Sequence, residues 1–241
     1  MAKLASPQHL HKAQASILRD LRHTPTARYS TLRQPTGLES DSFKFHLRKL
    51  VDQGYVQKLP SGDYSLTAIG KEYANNLDTI QQTIQKQPKL SVVVVASRRS
   101  RLTGDKEYLF QQRLRSPFYG YWGCISGPVR WGESLEAAAR RELSKQTGYM
   151  TDCAVRAFYR KVDHATDTDD ILEDKLFAIV EATITDDGLD NSWPWGKNAW
   201  MAVDELAKQD KYFASTYDFI DMLEQGQPYE TNASATTTQD Y

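Results

Sequence analysis

The segment GPVRWGESLEAAARRELSKQTGY, Gly127 to Tyr149, constrains the chain more than any other. Gly127 and Gly132 permit backbone conformations and close approaches that a Cβ resists. Ser134 is a good N-cap, and Glu136 suits the positive end of a helix dipole. Ala137-Ala138-Ala139 allows tight packing, and Gly148 is placed to end the helix. A loop feeding a capped helix is therefore predicted. Glu142, Lys145 and Gln146 fall at i, i+3 and i+4 on one face of it. Three carboxylates at those positions would hold a divalent metal against a pyrophosphate. Here they are a carboxylate, an ammonium and an amide, with summed charge zero.

The 241 residues suffice for one large domain or two small ones. Charge divides them. Residues 1–80 hold 11 Lys and Arg against 7 Asp and Glu, a net +4, which leaves 19 against 24, a net −5, for the rest. Four of the five histidines (His9, His11, His23, His46) lie in the basic part. Two units with different partners are implied, one of them polyanionic. The longest apolar run, Leu90 to Ala96, is far short of the ~20 residues of a membrane helix. With no apolar leader after Met1, the expected compartment is the cytoplasm, with no membrane partner. Cys124 and Cys153 have neither metal-type spacing nor a disulfide framework and are expected as free thiols.

Along the basic part, Leu10, Ala13, Ile17 and Leu21 keep helical spacing. A short helix follows between Pro25 and Pro35-Thr36-Gly37. A third has Phe43, Leu47, Leu50 and Val51 inward and Gly54 at its end. Pro60-Ser61-Gly62-Asp63 then marks a hairpin, and helical character returns from Ala68 into a polar, Gln-rich stretch. This order, carried by LESDSFKFHLRKLVDQGYVQKLPSGDYSLTAIGKEY, resembles a winged helix-turn-helix domain of the ArsR and MarR type. The resemblance implies double-stranded DNA as partner, with the third helix in the major groove and the hairpin on the backbone. Its candidate contacts are Ser42, Phe45, His46, Arg48 and Lys49 on that helix and Lys58 on the wing. The alternative is a domain that mediates only protein contacts.

The segment from Gly127 resembles the Nudix box, G-x5-E-x7-R-E-U-x-E-E-x-G-U, with U bulky and apolar. Gly127, Glu133, Arg141, Glu142, Leu143, Gly148 and Tyr149 match; Lys145 and Gln146 replace two glutamates. The resemblance implies an α/β/α sandwich with a mixed sheet, so the expected class is α/β (α+β) in two domains. The expected boundaries are 1–80 for the winged helix, 81–89 for a linker, 90–225 for the Nudix-like domain and 226–241 for a disordered tail.

By the same resemblance, Glu133, Arg141 and Glu142 form the catalytic frame, Arg141 pairing with Glu133. Gly127, Arg130, Lys145, Gln146 and Trp122 are candidate ligand contacts. Glu142 is the candidate metal ligand, for Mg²⁺ or Mn²⁺ if the site is catalytic, with Asp169 and Asp170 as distant replacements for the missing glutamates. Two functions follow. One is a DNA-binding regulator whose Nudix-like domain holds a nucleoside diphosphate-type metabolite with little or no hydrolysis. The other is a metal-dependent hydrolase of nucleoside diphosphate-linked compounds with an accessory winged helix. Both families commonly form homodimers.

Overall fold

A computed structural model of the chain describes residues 10–78, 83–84, 86–185 and 188–237. The chain divides into two compact units, Met1–Lys86 and Gln87–Tyr241.

The first unit runs α1 (Lys12–His23), α2 (Tyr29–Arg33), α3 (Ser40–Asp52), β1 (Val56–Lys58), β2 (Tyr64–Leu66) and α4 (Ala68–Asn75). His11 caps α1: its Nδ1 accepts from Ala13 N at 3.2 Å while Gln14 Oε1 accepts from His11 N at 3.1 Å. Ile17, Leu18 and Leu21 of α1 meet Leu32, Phe43, Leu47, Leu50, Val56 and Leu66 in one core. Past α3, Gly54 at φ +76 lets the chain reverse into β1, a conformation that disfavours any Cβ. β1 and β2 pair antiparallel with Gln57 opposite Ser65. Among the described residues the expected helix does not continue past Asn75. α4 stops at Asn75, two short strands follow, β3 (Leu77–Asp78) and β4 (Thr83–Ile84), and they pair antiparallel. Asn75 and Asn76 are poor helix formers, and Leu77 is drawn into the core instead. Residues 79 and 80 of the expected first domain and 81, 82 and 85 of the expected linker lie outside the described residues.

The second unit runs β5 (Lys89–Arg99), β6 (Lys106–Arg113), β7 (Trp122–Pro128), α5 (Leu135–Thr147), β8 (Cys153–Ala165), β9 (Ile171–Thr183), β10 (Gly196–Met201), α6 (Val203–Leu206), α7 (Ser215–Gln225) and β11 (Tyr229–Thr236). Seven strands form one mixed sheet in the order β10-β6-β7-β5-β9-β8-β11. β5–β9 and β8–β11 are parallel and the other pairs antiparallel. The valine run of β5 serves both faces. Val92, Val94 and Ala96 pack with Ala138, Ala139 and Leu143 of α5; Val93 and Val95 pack with Phe219, Ile220 and Met222 of α7. A strand with both faces covered reads as a continuous apolar run, as β5 does.

The expected disordered tail is a correction. Residues 229–236 form β11, an edge strand in parallel register with β8, Tyr229 opposite Phe158 through Thr236 opposite Ala165. Backbone hydrogen bonds to the free edge of β8 hold it, and composition carries no signal for that. Residues 238–241 lie outside the described residues.

Candidate ligand-binding site

Helix α5 begins where Ser134 Oγ accepts from Ala137 N at 3.2 Å and ends at Gly148, φ +77. Its seat beside β7 requires a glycine at 127: a Cβ there would lie 2.4 Å from Cγ and Cδ of Glu142. The loop is clamped by one guanidinium. Arg141 Nε and Nη2 each donate to a different oxygen of Glu133 at 2.7 Å, and Nη2 also donates to the Pro128 carbonyl at 2.9 Å. Glu133 Oε2 accepts in addition from Arg130 N at 3.0 Å. These bonds, those to Arg141 first, hold the Glu133 carboxyl down at about 2. The remaining Arg141 nitrogen, Nη1, donates to Glu142 Oε1.

Glu142 is 4% exposed, and its other oxygen accepts from Gln146 Nε2 at 2.8 Å. The same amide nitrogen donates to the Ser126 carbonyl at 3.0 Å. Lys145 points elsewhere, with Nζ 4.5 Å from the centroid of the Trp193 ring. Mg²⁺ and Mn²⁺ take carboxylate, carbonyl and water oxygens. Here both oxygens of the one carboxylate and the neighbouring carbonyl already accept from protein donors, so the donor set does not fit such an ion. Asp169 and Asp170 do not repair it. They lie at the exposed β8–β9 turn, and among the described residues no group of three Asp, Glu, His or Cys forms that could hold a metal. Their sequence neighbourhood gave acidity without position.

A polar relay extends from this point into the sheet. Asn198 Nδ2 on β10 donates to the Gln146 carbonyl at 2.7 Å, and Gln111 Nε2 on β6 donates to Asn198 Oδ1 at 2.9 Å. Gln111, Glu142, Gln146 and Asn198 are all buried, and each bond satisfies a group that would otherwise be costly there.

On the α7 side of the sheet lies a cavity that opens to solvent. It opens between β6, β7, β8, β9 and α7, and Ser126, Cys124 and Gln111 belong to its wall. Its charged lining is Arg113, Arg115, Lys161, Lys175, Asp163 and Glu173, a formal +2. Lys161 Nζ lies 2.9 Å from Asp163, and Lys175 Nζ 2.7 Å from Glu173. Burial draws Lys175 below the ordinary lysine value; burial and then the neighbouring Arg115 draw Arg113 below its own. Both shifts mark an enclosed, electropositive chamber that favours an anion. Burial also pushes the Cys124 thiol up to about 12, so it presents a neutral wall and no nucleophile.

The ligand contacts expected from sequence fare unevenly. Gln146 and Gly127 are at the frame, the first as a donor to Glu142 and the second as the space Glu142 occupies. Arg130 acts through its backbone, and its side chain is exposed. Trp122 is 7% exposed and packed with Phe110 and Phe219, so its ring is core. None of Gly127, Arg130, Lys145, Gln146 and Trp122 lines the cavity. The residues that do line it come from strands and a helix far apart in sequence.

In the first unit, Ser42, Phe45, Arg48 and Lys49 are exposed on α3, and Phe45 is 64% exposed. Arg48 lies 3.8 Å from Asp52 one turn on, a solvated pair of little energetic weight. His46 is half-buried, its ring stacked on that of His11 with centroids 4.0 Å apart and planes 12° apart, so it faces α1. Burial, then His11 and Lys49, lower its pKa. Lys58 shares a groove with Arg48, Tyr29, Tyr64 and Lys44. Lys44 was not singled out from sequence; it lies on the flank of α3 that only the β1–β2 hairpin identifies as a groove.

The NUDIX domain family matches residues 88–223. Among solved structures, the NUDIX domain of Shewanella oneidensis NrtR, complexed with ADP ribose, is similar at 18% identity and TM-score 0.50. The match covers 66% of this chain and 98% of that one. A mutator MutT protein from Bacillus halodurans is similar at 19% identity and TM-score 0.50, over 64% of this chain and 93% of that one. At such identities the likeness speaks for the fold. No helix among the described residues is long and apolar enough to cross a membrane.

Proposed function

Because the chain belongs to the Nudix family through residues 88–223, we propose that it is a ligand-responsive DNA-binding regulator. Its Nudix domain binds a nucleoside diphosphate-type metabolite and hydrolyses little or none of it. Its first unit, a winged helix, binds double-stranded DNA as part of a homodimer.

One observation carries the reading. The only carboxylate left of the metal trio, Glu142, is closed on both oxygens by Arg141 and Gln146. A Nudix frame in that state keeps the fold and loses the metal platform. The cavity with its net positive lining supplies the binding side of the proposal. The similar NUDIX domain of NrtR holds ADP ribose, which makes that compound the first to try. For the DNA half, support comes from the helix–helix–helix–hairpin order and from Lys44, Arg48 and Lys58 around one groove.

The alternative is a hydrolase that needs Mg²⁺ or Mn²⁺. The intact Glu133–Arg141 clamp favours it. Phosphorus NMR decides between the two. Protein is incubated with ADP-ribose, NAD, nucleotide sugars and nucleoside triphosphates, with either ion, and binding is followed in parallel by calorimetry. Binding without new phosphorus signals supports the regulator. Turnover that disappears in Glu142→Ala overturns it. A gel shift against DNA upstream of the protein's own coding sequence tests the other half, and no retardation at low salt would remove it.

A further inference from the structure

The cavity's charges are arranged in an order that bears on which end of a ligand it takes, given the receptor reading above. On the antiparallel strands β8 and β9, Asp163 lies directly opposite Glu173, and Lys161 directly opposite Lys175. Like charges facing one another across a ladder oppose folding. The ion pairs within each strand compensate. Asp163 Oδ1 receives both Lys161 and the Ser234 hydroxyl of β11. Glu173 Oε2 lies 2.7 Å from Lys175 Nζ, and Glu173 Oε1 lies 3.9 Å from Lys89 Nζ. Asp163 and Glu173 both line the cavity. Yet Asp163 is 2% and Glu173 8% exposed. Two adjacent carboxylates on the cavity wall offer acceptors to a pair of hydroxyls.

The rest of the cavity fits the same partner. Arg113 donates Nε to the Pro117 carbonyl at 3.0 Å, which leaves its terminal nitrogens, and Arg115 has no carboxylate within ion-pair distance among the described residues. Two guanidiniums are suited to phosphate oxygens. The aromatic rings are less suited to a base. Phe118 meets Phe213 edge-on at 5.3 Å, and Phe219 is edge-on to Tyr159 at 5.0 Å. Lys161 Nζ sits 5.7 Å from both the Phe118 and Phe213 centroids. Ring faces that already have these neighbours do not form a stacking slot.

We infer that this cavity takes the hydroxylated, phosphate-bearing end of the ligand, a pentose phosphate, and leaves the nucleobase outside. Asp163 and Glu173 accept from the sugar hydroxyls, while Arg113 and Arg115 meet the phosphate.

Calorimetry on the full chain tests this with ADP-ribose, ribose 5-phosphate, 2-deoxyribose 5-phosphate and adenosine as probes. The variants are Glu173→Gln and Asp163→Asn, with Arg115→Ala as an exposed change that leaves the fold untouched. Ribose 5-phosphate is expected to bind and adenosine not to. Loss of one hydroxyl in the deoxy sugar, or of one carboxylate in the protein, weakens binding about tenfold, the worth of one hydrogen bond to a charged group. Arg115→Ala weakens both phosphates and steepens no other difference. Adenosine binding in preference to ribose 5-phosphate overturns the inference. So does ADP-ribose binding that all three variants leave unchanged, although the receptor reading then survives. If neither ADP-ribose nor ribose 5-phosphate binds, both the inference and that reading fall.

Discussion

Gln146 Nε2 lies 2.8 Å from Glu142 Oε2 and 3.0 Å from the Ser126 carbonyl, so one amide nitrogen bridges two oxygens that a cation would otherwise share. The substitution from a family glutamate is thus more than a lost charge. It supplies a donor that ties helix α5 to β7 through the Ser126 carbonyl.

This relationship can be reversed. Lys145→Glu combined with Gln146→Glu would restore three carboxylates and remove the bridging donor. Unfolding followed by fluorescence should show a double variant less stable than wild type without metal and stabilised by Mg²⁺. At a hundred times its Kd the ion would add about 2.7 kcal/mol, or roughly 5–10 °C in Tm for a chain of this size. Wild-type Tm should not respond. A wild-type response of the same size would mean that Glu142 opens to the ion.

Gly127→Ala should destabilise through overpacking. The added methyl would sit 2.4 Å from Glu142 Cγ, a side chain fixed by two hydrogen bonds and 4% exposed. A loss of about 1–3 kcal/mol is expected in urea unfolding. Pairing it with Glu142→Ala should recover most of that loss, because the smaller side chain vacates the space.

Acid sensitivity should trace to Glu133. Hydrogen bonds from Arg141, then from Arg130 N, lower its pKa to about 2, below the ~4.3 of an unfolded glutamate. Its contribution is complete above that unfolded value and disappears as pH falls toward 2. The stability gap between wild type and Glu133→Gln should therefore be widest near neutrality and narrow between about pH 4.3 and 2. Urea midpoints across that range would show it. A gap constant with pH would mean that the clamp acts without the charge.

For the DNA half, the salt dependence of affinity is the sharper measurement. Each phosphate contact adds about 0.9 to the slope of log K against log salt. Replacing Lys44, Arg48 and Lys58 together by Ala should lower that slope by about 2–3. Phe45→Ala should change affinity without changing the slope. His46→Ala should alter stability rather than the slope, since its ring stacks on His11.

What could be read from sequence was what local geometry dictates. Ser134, Gly148 and the Glu133–Arg141 clamp are where the motif required them, because a cap, a left-handed turn and an eight-residue spacing are local facts. The valine run at β5 and the hairpin after Gly54 were legible for the same reason. The cavity was not. Arg113, Lys161, Glu173 and Thr216 converge through strand order and register, which no periodicity reveals. Lys145 has the helical phase expected of it, but its side chain turns to Trp193, a residue 48 positions along the chain. Trp122 looked available in a glycine-rich segment, but it opens β7 and joins the core cluster that α7 covers.

Strand β11 contributes no buried residue, and its side chains are short and mostly uncharged. It nonetheless occupies eight backbone positions of β8, and it begins six residues beyond the end of the family match at 223. It is the selvage of the sheet. A fragment trimmed to the family boundary would leave β8 with a bare row of amides and carbonyls, the kind of margin that recruits other chains. Its precipitation would then be mistaken for a poorly folding domain, when only the hem had been cut away.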